Sequence, residues 1–308
     1  MPLPTRPVQL RCNFLENPLG VHDPKPQLSW RLATDSRRGA RQTAYRITVS
    51  SKRNGTADLW DSGRVDSDRS NGIIYAGKNL TSQQRVWWSV EIWDEVWDKK
   101  KRKGATGSAF WEMGLLTNEE WGGDWIGTSL AGGPESTIPS PYLRTLFNIG
   151  KKIASARLYV TALGDGANAA GAILGDGWYC GRVGWRNRAY YGDRPQLRAK
   201  IVVTFRDGSQ QSIVTDSSWK TAYGAIQEND FMHGEACDAR RELTGWSTPD
   251  YRDQDWVDVE TFSHPAIELS PTIGQPVRNT EEIIPVAAPT SSTVEVGPDS
   301  AWVFDLGQ

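Results

Sequence analysis

The sequence predicts an all-β protein built from tandem β-sandwiches, and three observations support that prediction. Apolar and polar residues alternate with a period of two along several segments, as they do in half-buried strands. An Asp-Gly pair joins two of these segments, which is a strong hairpin signal. No segment holds a helical apolar stripe over three or four turns. At 308 residues, the chain is long enough for two domains that each bury a core.

The first strand-rich region has the clearest alternation. Between residues 41 and 51, one face of a predicted strand carries Tyr45, Ile47 and Val49. Between residues 84 and 94, the residues on one face are Val86, Trp88, Val90 and Ile92, and those opposite are Trp87, Glu91 and Trp93. Turn residues separate such segments. Residues 1–118 therefore predict an immunoglobulin-like or fibronectin III-like sandwich.

A short turn is predicted to separate this region from the next. Residues 117–120 have the pattern of a capping box, and Gly122 and Gly123 would end the turn. Residues 119–267, with longer strands and glycine-rich loops, predict a jelly-roll sandwich. Residues 268–308 begin in a proline-, serine- and threonine-rich stretch, and they predict the start of a further, truncated β domain.

Alternation in the second region is predicted at residues 156–162 and 197–205. The latter segment leads to Asp207 and Gly208, and alternation resumes at Ile213, so a hairpin is expected there. The one low-complexity run is the basic cluster 99–103, which is interpreted as a solvated hairpin tip.

Composition excludes several classes of function. The 35 basic and 37 acidic residues give a net charge of −2, which favours neither nucleic acid nor a membrane as partner. Residues 1–21 lack the pattern of a signal peptide, so a cytoplasmic location is the default expectation. No metal-ligand spacing is formed by the cysteines and histidines, which are Cys12, Cys180, Cys237, His22, His233 and His264.

Two kinds of side chain cluster around glycine turns in the second region. The carboxylates are Asp176, Asp193, Glu235 and Asp238. Asp176 and Asp193 are interpreted as turn residues whose side chains cap backbone groups, and no catalytic residue is assigned among the four. The aromatic residues are Trp178, Tyr179, Trp185, Tyr190 and Tyr191. Packing, docking against another domain and contact with a sugar all remain open for them.

If a sugar is bound, the expected site consists of Trp178, Tyr179, Tyr191 and Asp193. Aromatic rings would provide a platform for the sugar face, and the carboxylate would accept hydrogen bonds from hydroxyl groups. No cofactor is required by this site. Calcium is left open as an additional ligand, because hydroxyl and carboxylate oxygens suit a hard cation.

Short sequence strings in both regions are distinctive. In the first they are LRCNFLENPLG at 10–20, LSWRL at 28–32, RQTAYRI at 41–47, LWDSGRV at 59–65 and VWW at 86–88. In the second they are LGDGWY at 174–179, GR at 181–182, YGDRP at 191–195, GE at 234–235 and DAR at 238–240. These strings resemble the N-terminal part of bacterial-type α-L-rhamnosidases, which belong to glycoside hydrolase family 78. The string VFDLGQ at 303–308 resembles the start of the next β domain.

This resemblance implies a non-catalytic role for the chain. Family members place such β modules ahead of an (α/α)₆ barrel, whose acidic residues hydrolyse terminal α-L-rhamnosides with inversion. Inverting hydrolysis needs a general acid and a general base about 6.5–9.5 Å apart. The barrel is expected to follow residue 308 and to be the partner of these modules. The chain alone is therefore expected to be inactive, and a rhamnose-containing glycoside is its expected ligand.

The second region departs from the family pattern near residues 164–171. Family members have several more strands between strings like VTAL at 160–163 and GDGW at 175–178. Here a glycine- and alanine-rich segment joins the two directly, so the jelly-roll is expected to be internally shortened. Loss of strands would leave sheet edges unpaired and core faces exposed.

Two alternatives to an enzyme fragment remain open. The chain could be a freestanding, lectin-like carbohydrate-binding protein that uses its second module. It could also be a truncated product without independent function. The coding sequence beyond Gln308 would separate these possibilities, because a helical, acidic continuation favours the enzyme fragment.

Overall fold

The computed structural model describes residues 5–33, 39–95, 104–157 and 166–264, together with residues 267, 269, 281–284 and 286. Those residues are nearly all β, with 43% strand and 4% helix, so the predicted fold class is confirmed. None of the helices in this part of the chain is long and apolar enough to cross a membrane. The basic cluster 99–103, residues 158–162 of the predicted strand 156–162, and most of the predicted third domain lie outside the described residues.

Module 1, the described part of residues 5–118, contains seven strands in two sheets. They are β1 (Arg6–Cys12), β2 (Gln27–Ala33), β3 (Gln42–Ser50), β4 (Trp60–Asp61), β5 (Ile73–Ile74), β6 (Arg85–Asp94) and β7 (Ala105–Glu112). One sheet has the order β1-β2-β5 and the other has the order β4-β3-β6-β7. All pairings are antiparallel.

The predicted alternation in module 1 is confirmed by its register and burial. In the pairing of β3 with β6, Ile47 lies opposite Val90 and Val49 lies opposite Trp88. These four side chains are almost completely buried between the two sheets. Four rings form a continuous row of edge-to-face contacts in the same core, in the order Trp60, Tyr75, Trp111 and Trp88. Several of the 15 tryptophans therefore serve as core residues here.

Module 2, the described part of residues 119–264, is a second sandwich that contains eleven strands and one short α-helix. They are β8 (Trp125–Gly127), β9 (Pro141–Ile149), β10 (Ile153–Arg157), β11 (Gly166–Ile173), α1 (Gly177–Cys180), β12 (Lys200–Phe205), β13 (Gln210–Val214), β14 (Lys220–Tyr223), β15 (Ile226–Asp230), β16 (Gly234–Cys237), β17 (Val257–Asp258) and β18 (Glu260–Phe262). Its main sheets have the orders β10-β12-β13 and β11-β9-β14-β17. The strand pairs β15-β16 and β8-β18 each form a separate two-stranded sheet.

The predicted hairpin forms between β12 and β13. Thr204 pairs with Gln210, and the loop at the tip contains Asp207 and Gly208. Gly208 has a φ of +83°, a conformation that favours glycine, and the Asp207 carboxylate accepts a hydrogen bond from the Ser209 backbone N–H at 2.9 Å. The Asp-Gly signal is therefore confirmed at the position where it was predicted.

Strand β11 falls where sequence analysis placed only a join between two family strings. Its eight residues pair with β9 in unbroken register, from Gly166 opposite Ile149 to Ile173 opposite Tyr142. In the described part of the chain β11 has no other neighbour, so it is an edge strand. It contains no charged residue and no proline. Alanine and glycine have low strand propensity, and pairing with β9 overrides it here.

One ion pair and one hydrogen bond to a backbone carbonyl oxygen link module 2 to the end of module 1 and to the turn between the modules. Glu112, at the end of β7, is almost fully buried between Arg85 of module 1 (2.9 Å) and Arg157 of module 2 (2.7 Å between Oε2 and Nη2). The 3₁₀ turn Glu119–Trp121 follows, and the Glu120 carboxylate accepts a hydrogen bond from the Thr117 backbone N–H at 3.1 Å, which is half of the predicted capping box. Lys200 of β12 donates to the Glu120 carbonyl oxygen at 2.6 Å.

Candidate functional site

A buried ionic triad organises the region that carries the predicted site. The Arg188 guanidinium lies between two carboxylates, with its Nη1 atom 2.7 Å from Asp230 and its Nη2 atom bonded to Asp176. All three side chains are at most 5% exposed. Because two carboxylates share one guanidinium, the triad connects α1, the loop after it and the end of β15.

Asp230 also fixes the backbone on both sides of it. Its carboxylate accepts hydrogen bonds from the backbone N–H groups of Arg182 (2.9 Å), Met232 (2.8 Å) and His233 (3.1 Å). Burial alone would raise the pKa of Asp230. The backbone donors and Arg188 outweigh that effect and hold its pKa below the ordinary value.

Asp176 has a structural role, as predicted, but a different one from the expected cap. It precedes α1, yet its side chain makes no capping hydrogen bond and binds Arg188 instead. Burial raises the pKa of Asp176, although the bond to Arg188 opposes the shift. The side chain turns inward because Arg188 offers a charged partner, which no backbone N–H group can match.

The triad underlies an exposed aromatic surface. Its members project from α1, from the following loop and from the β15–β16 turn, and they are Trp178, Tyr179, Trp185, Tyr190, Tyr191 and Phe231. Trp178 is 48% exposed and stacks on Phe231 with ring centroids 5.3 Å apart. Tyr190 packs edge to face against Tyr191, and the Arg186 guanidinium lies over the Tyr190 ring. Large exposed rings in a cluster mark an interaction surface.

The four predicted site residues fall into two groups. The ring of Tyr179 lies against Gly192, where a Cβ atom would be 2.2 Å from it, so Tyr179 is next to the loop that holds Tyr191 and Asp193. Trp178 instead packs on Phe231, which sequence analysis missed. The available signal was an apolar pair, Phe231 and Met232, at the tip of a hairpin, where polar residues are usual.

The other candidate carboxylates are bonded separately. Glu235 accepts a hydrogen bond from the Asn229 side chain at 3.1 Å. Asp238 binds Arg240 at 2.8 Å, and that bond lowers the pKa of Asp238 to about 2. Asp193 is largely exposed and 3.7 Å from Arg194. Within the described residues, no group of three histidine, cysteine or acidic side chains is arranged to hold a metal ion.

Comparison with known families assigns both modules. A family model described as the α-L-rhamnosidase N-terminal domain matches residues 163–281. A second model, described as the Rha78A-like N-terminal immunoglobulin domain, matches residues 7–117.

Curated relatives match most of this chain but only part of their own length. An α-L-rhamnosidase of Alteromonas sp. (strain LOR) is 33% identical over 342 residues, which cover 95% of this chain and 36% of the relative. One from Formosa agariphila is 33% identical over 299 residues, covering 80% of this chain and 32% of the relative. The chain thus spans about a third of the length of these relatives. The first alignment is longer than the 308 residues of this chain, so that relative contains residues without a counterpart here.

Solved structures agree on the fold. The α-L-rhamnosidase from Dictyoglumus thermophilum superposes with a TM-score of 0.70 and 30% identity, covering 84% of this chain and 34% of that chain. That from Aspergillus terreus gives a TM-score of 0.72 and 26% identity, covering 85% and 34%. The Streptomyces avermitilis enzyme, solved in complex with L-rhamnose, gives 0.74 at 20% identity, covering 84% and 45%, and shows the fold alone.

The fold and the site together define a tandem β-sandwich region with a rigidly supported aromatic surface. Both modules match family models of N-terminal domains from one group of glycoside hydrolases. The chain therefore belongs to the α-L-rhamnosidase family and corresponds to its N-terminal region.

Proposed function

We propose that this chain is the non-catalytic N-terminal part of an α-L-rhamnosidase and that it supports the catalytic barrel of the same parent protein. The parent reaction would be the inverting hydrolysis of terminal α-L-rhamnose from rhamnosides. The aromatic surface carries the proposal. Six large rings are exposed in this region, including the pairs Trp178–Phe231 and Tyr190–Tyr191, while the triad that joins the segments carrying them is buried, so we infer that these rings are covered by a partner or contact a sugar.

The acidic side chains of this region support a non-catalytic role. Asp176 and Asp230 are both engaged by Arg188 and closed off from solvent. Glu235 and Asp238 bind other side chains and face outward. A glycosidase needs a protonated acid and an ionised base on either side of one open cleft. These carboxylates instead form ion pairs or hydrogen bonds with neighbouring side chains of the same module.

The first prediction is that the protein does not release the aryl group from an aryl α-L-rhamnoside. Purified protein incubated with the substrate should give the same rate as buffer. A rate above that of buffer, abolished in Asp176→Asn or Glu235→Gln, would contradict the proposal. Heat-denatured protein provides the control for contaminating activity.

The second prediction concerns sugar contact, for which rhamnose or a similar monosaccharide is the proposed ligand. Titration with L-rhamnose, followed by tryptophan fluorescence with and without calcium, should give weak saturable binding that Trp178→Ala and Asp193→Ala remove. Trp185→Ala is the matched control, because Trp185 is fully exposed on the same loop but is not among the proposed contacts. Binding that persists in both site variants would eliminate this site.

A lectin-like protein that acts alone is the second candidate function, and the exposure of the aromatic surface favours it equally. The two candidates differ in what covers that surface. If it docks on the barrel, a separately produced barrel should bind this protein, and Phe231→Ala should weaken that binding while leaving the rhamnose titration unchanged. If the protein acts alone, rhamnose should bind and the barrel should not.

A further inference from the structure

A groove on module 1, remote in sequence from the aromatic surface, has the character of a second ligand site. It lies on the outer face of the sheet β4-β3-β6-β7 and has a volume of about 460 Å³. Outward residues of β3, β6 and β7 form its floor, and the loop at residues 52–57 forms one wall. Gly55 allows this loop to lie directly against the sheet, because a Cβ atom there would be only 2.5 Å from the Ser50 hydroxyl oxygen.

The floor of the groove consists of an aromatic row followed by a hydroxyl row. Trp87 and Phe110 lie directly opposite each other on β6 and β7. Two residues further along, Ser89 lies between Ser108 of β7 and Thr48 of β3, and the hydroxyl groups of Thr48 and Ser89 are 2.7 Å apart. A flat aromatic face beside several hydroxyl groups can stack on a sugar ring and hydrogen-bond its hydroxyls.

Trp87 is the available stacking surface. One face of Phe110 is occupied by the Arg85 guanidinium, 4.7 Å from its centroid. Trp87 contacts no other aromatic ring among the described residues, and no described group accepts a hydrogen bond from its indole N–H. The next residue on the strand, Trp88, points in the opposite direction, into the core. An indole with an open N–H on a partly exposed floor offers both stacking and a donor.

The charge of the groove is positive. Lys52 and Arg53 stand on its wall, are exposed and form no ion pair with the described residues. Arg85 lies at one end, and the Glu112 carboxylate beside it is shared with Arg157, so that cluster retains one positive charge. No acidic residue lines this groove among the described residues, whereas the adjoining depression beyond Thr48 and Ser89 contains Glu91 and Asp61, the latter paired with Arg46. The nearby Asp58 is bonded to Ser51 of the same loop.

We propose that this groove binds an acidic saccharide, meaning a sugar chain that carries carboxylate or sulfate groups. Trp87 stacks on one ring, the row of hydroxyl groups contacts neighbouring sugar hydroxyls, and Lys52 and Arg53 bind the anionic group. Module 1 is thereby a binding module in its own right. The proposal is independent of rhamnose binding by module 2, because it concerns other residues and a ligand of different charge.

The test uses trigalacturonate as the probe and the full 308-residue protein. Calorimetric titration should show saturable binding that weakens as salt is added, because exposed charges are screened. Trp87→Ala should weaken binding by roughly tenfold or more, which corresponds to about 1.4 kcal/mol. The double variant Lys52→Ala/Arg53→Ala should weaken it roughly threefold to tenfold and flatten the salt dependence, as expected for exposed charge pairs.

Trp93→Ala is the matched control, since Trp93 lies on the same strand and face but outside the groove, under Arg64. It should bind as the unaltered protein does. The surface variants at Lys52 and Arg53 keep the test decisive if Trp87→Ala fails to fold. The proposal is overturned by an absence of binding to folded protein, by equal affinity for neutral maltotriose or for polyglutamate, or by unchanged binding in both groove variants.

Discussion

The two sandwiches are held together by different forces. Module 1 buries seventeen mostly large apolar residues in one continuous cluster, including Trp30, Trp88 and Trp111. The corresponding apolar cluster of module 2 contains nine residues among those that the structure describes, and module 2 also buries the charged side chains of Arg144 and Arg188. Arg144 is fully buried, donates to the carbonyl oxygens of Trp246 (2.8 Å) and Thr248 (2.7 Å), and pairs with Asp253. Apolar packing dominates one module, and ion pairs fasten the loops of the other.

The core of module 2 is also less completely filled. A cavity of about 240 Å³ opens between its sheets, lined by Trp121, Ala170, Ala172, Ile201, Ile213 and Trp219. It lies under edge strand β11, whose inward residues are small. This is the region that sequence analysis expected to be shortened. Module 2 thus keeps a sandwich fold with a smaller apolar core, and buried ion pairs hold its loops in place. Removing one partner of such a pair leaves an uncompensated buried charge.

Removing the shared cation of the triad should have the largest effect. Arg188→Met leaves Asp176 and Asp230 buried without a partner, which should destabilise module 2 by about 3–5 kcal/mol. Calorimetry should then show a separate early transition for module 2, with that of module 1 retained. Arg186→Met, on the exposed part of the same loop, is the control and should change little. A single unshifted transition in Arg188→Met would mean that the triad does not stabilise module 2.

Filling the cavity should reduce the difference between the modules. Ala172→Leu adds apolar volume on the inner side of β11 and should stabilise module 2 by about 1 kcal/mol, as measured by urea unfolding. Ala167→Leu makes the same change on the exposed face of the same strand and should be nearly neutral. Destabilisation by Ala172→Leu, with Ala167→Leu neutral, would show that the cavity cannot accept a larger side chain.

The change in the stability of module 2 with pH should be smaller than the effects of the two preceding predictions. The pKa of Asp230 is below the ordinary aspartate value of 3.8 in the folded protein, so its stabilising contribution is present above that value and declines as the pH falls through the lowered pKa. The pKa of Asp176 is raised, so its contribution has the opposite sign: it is fully present below 3.8 and is lost as the pH rises through the raised pKa. The two partly cancel.

Asp230→Asn separates these contributions. In unfolding measurements between pH 5 and 3, it should remove the Asp230 contribution and keep that of Asp176, so that the stability of module 2 falls less on acidification than in the unaltered protein. An unaltered pH dependence in Asp230→Asn would show that Asp230 is not the titrating group. Asp238→Asn is a suitable comparison, since Asp238 has a lowered pKa but lies at the surface of the same module.

The strands of module 1 could be predicted because each has one buried face and one solvated face, so apolar and polar residues alternate along the sequence. Strands β3 and β6 appear at the expected residues. Strand β11 could not be predicted in this way, because its alanines and glycines differ too little in polarity to show alternation. It becomes a strand through its pairing with β9, which is a tertiary effect.

The site was predictable in composition but not in arrangement. Aromatic residues next to glycine turns identified Trp178 and Tyr179 as surface candidates, and both are exposed. The pairing of Arg188 with Asp230 joins residues 42 positions apart, and local sequence carries no sign of such a contact. The apolar pair Phe231 and Met232 was a local sign of an exposed apolar tip, but the stacking of Phe231 on Trp178 depends on where the β15–β16 hairpin folds.

The uncharged edge of β11 has a practical consequence for handling the protein. An exposed strand edge without lysine, proline or an inward charge is a template on which a second chain can form a β-sheet. Eight consecutive residues of β11 have this character in the described part of the chain. We therefore expect self-association through that edge to increase with protein concentration.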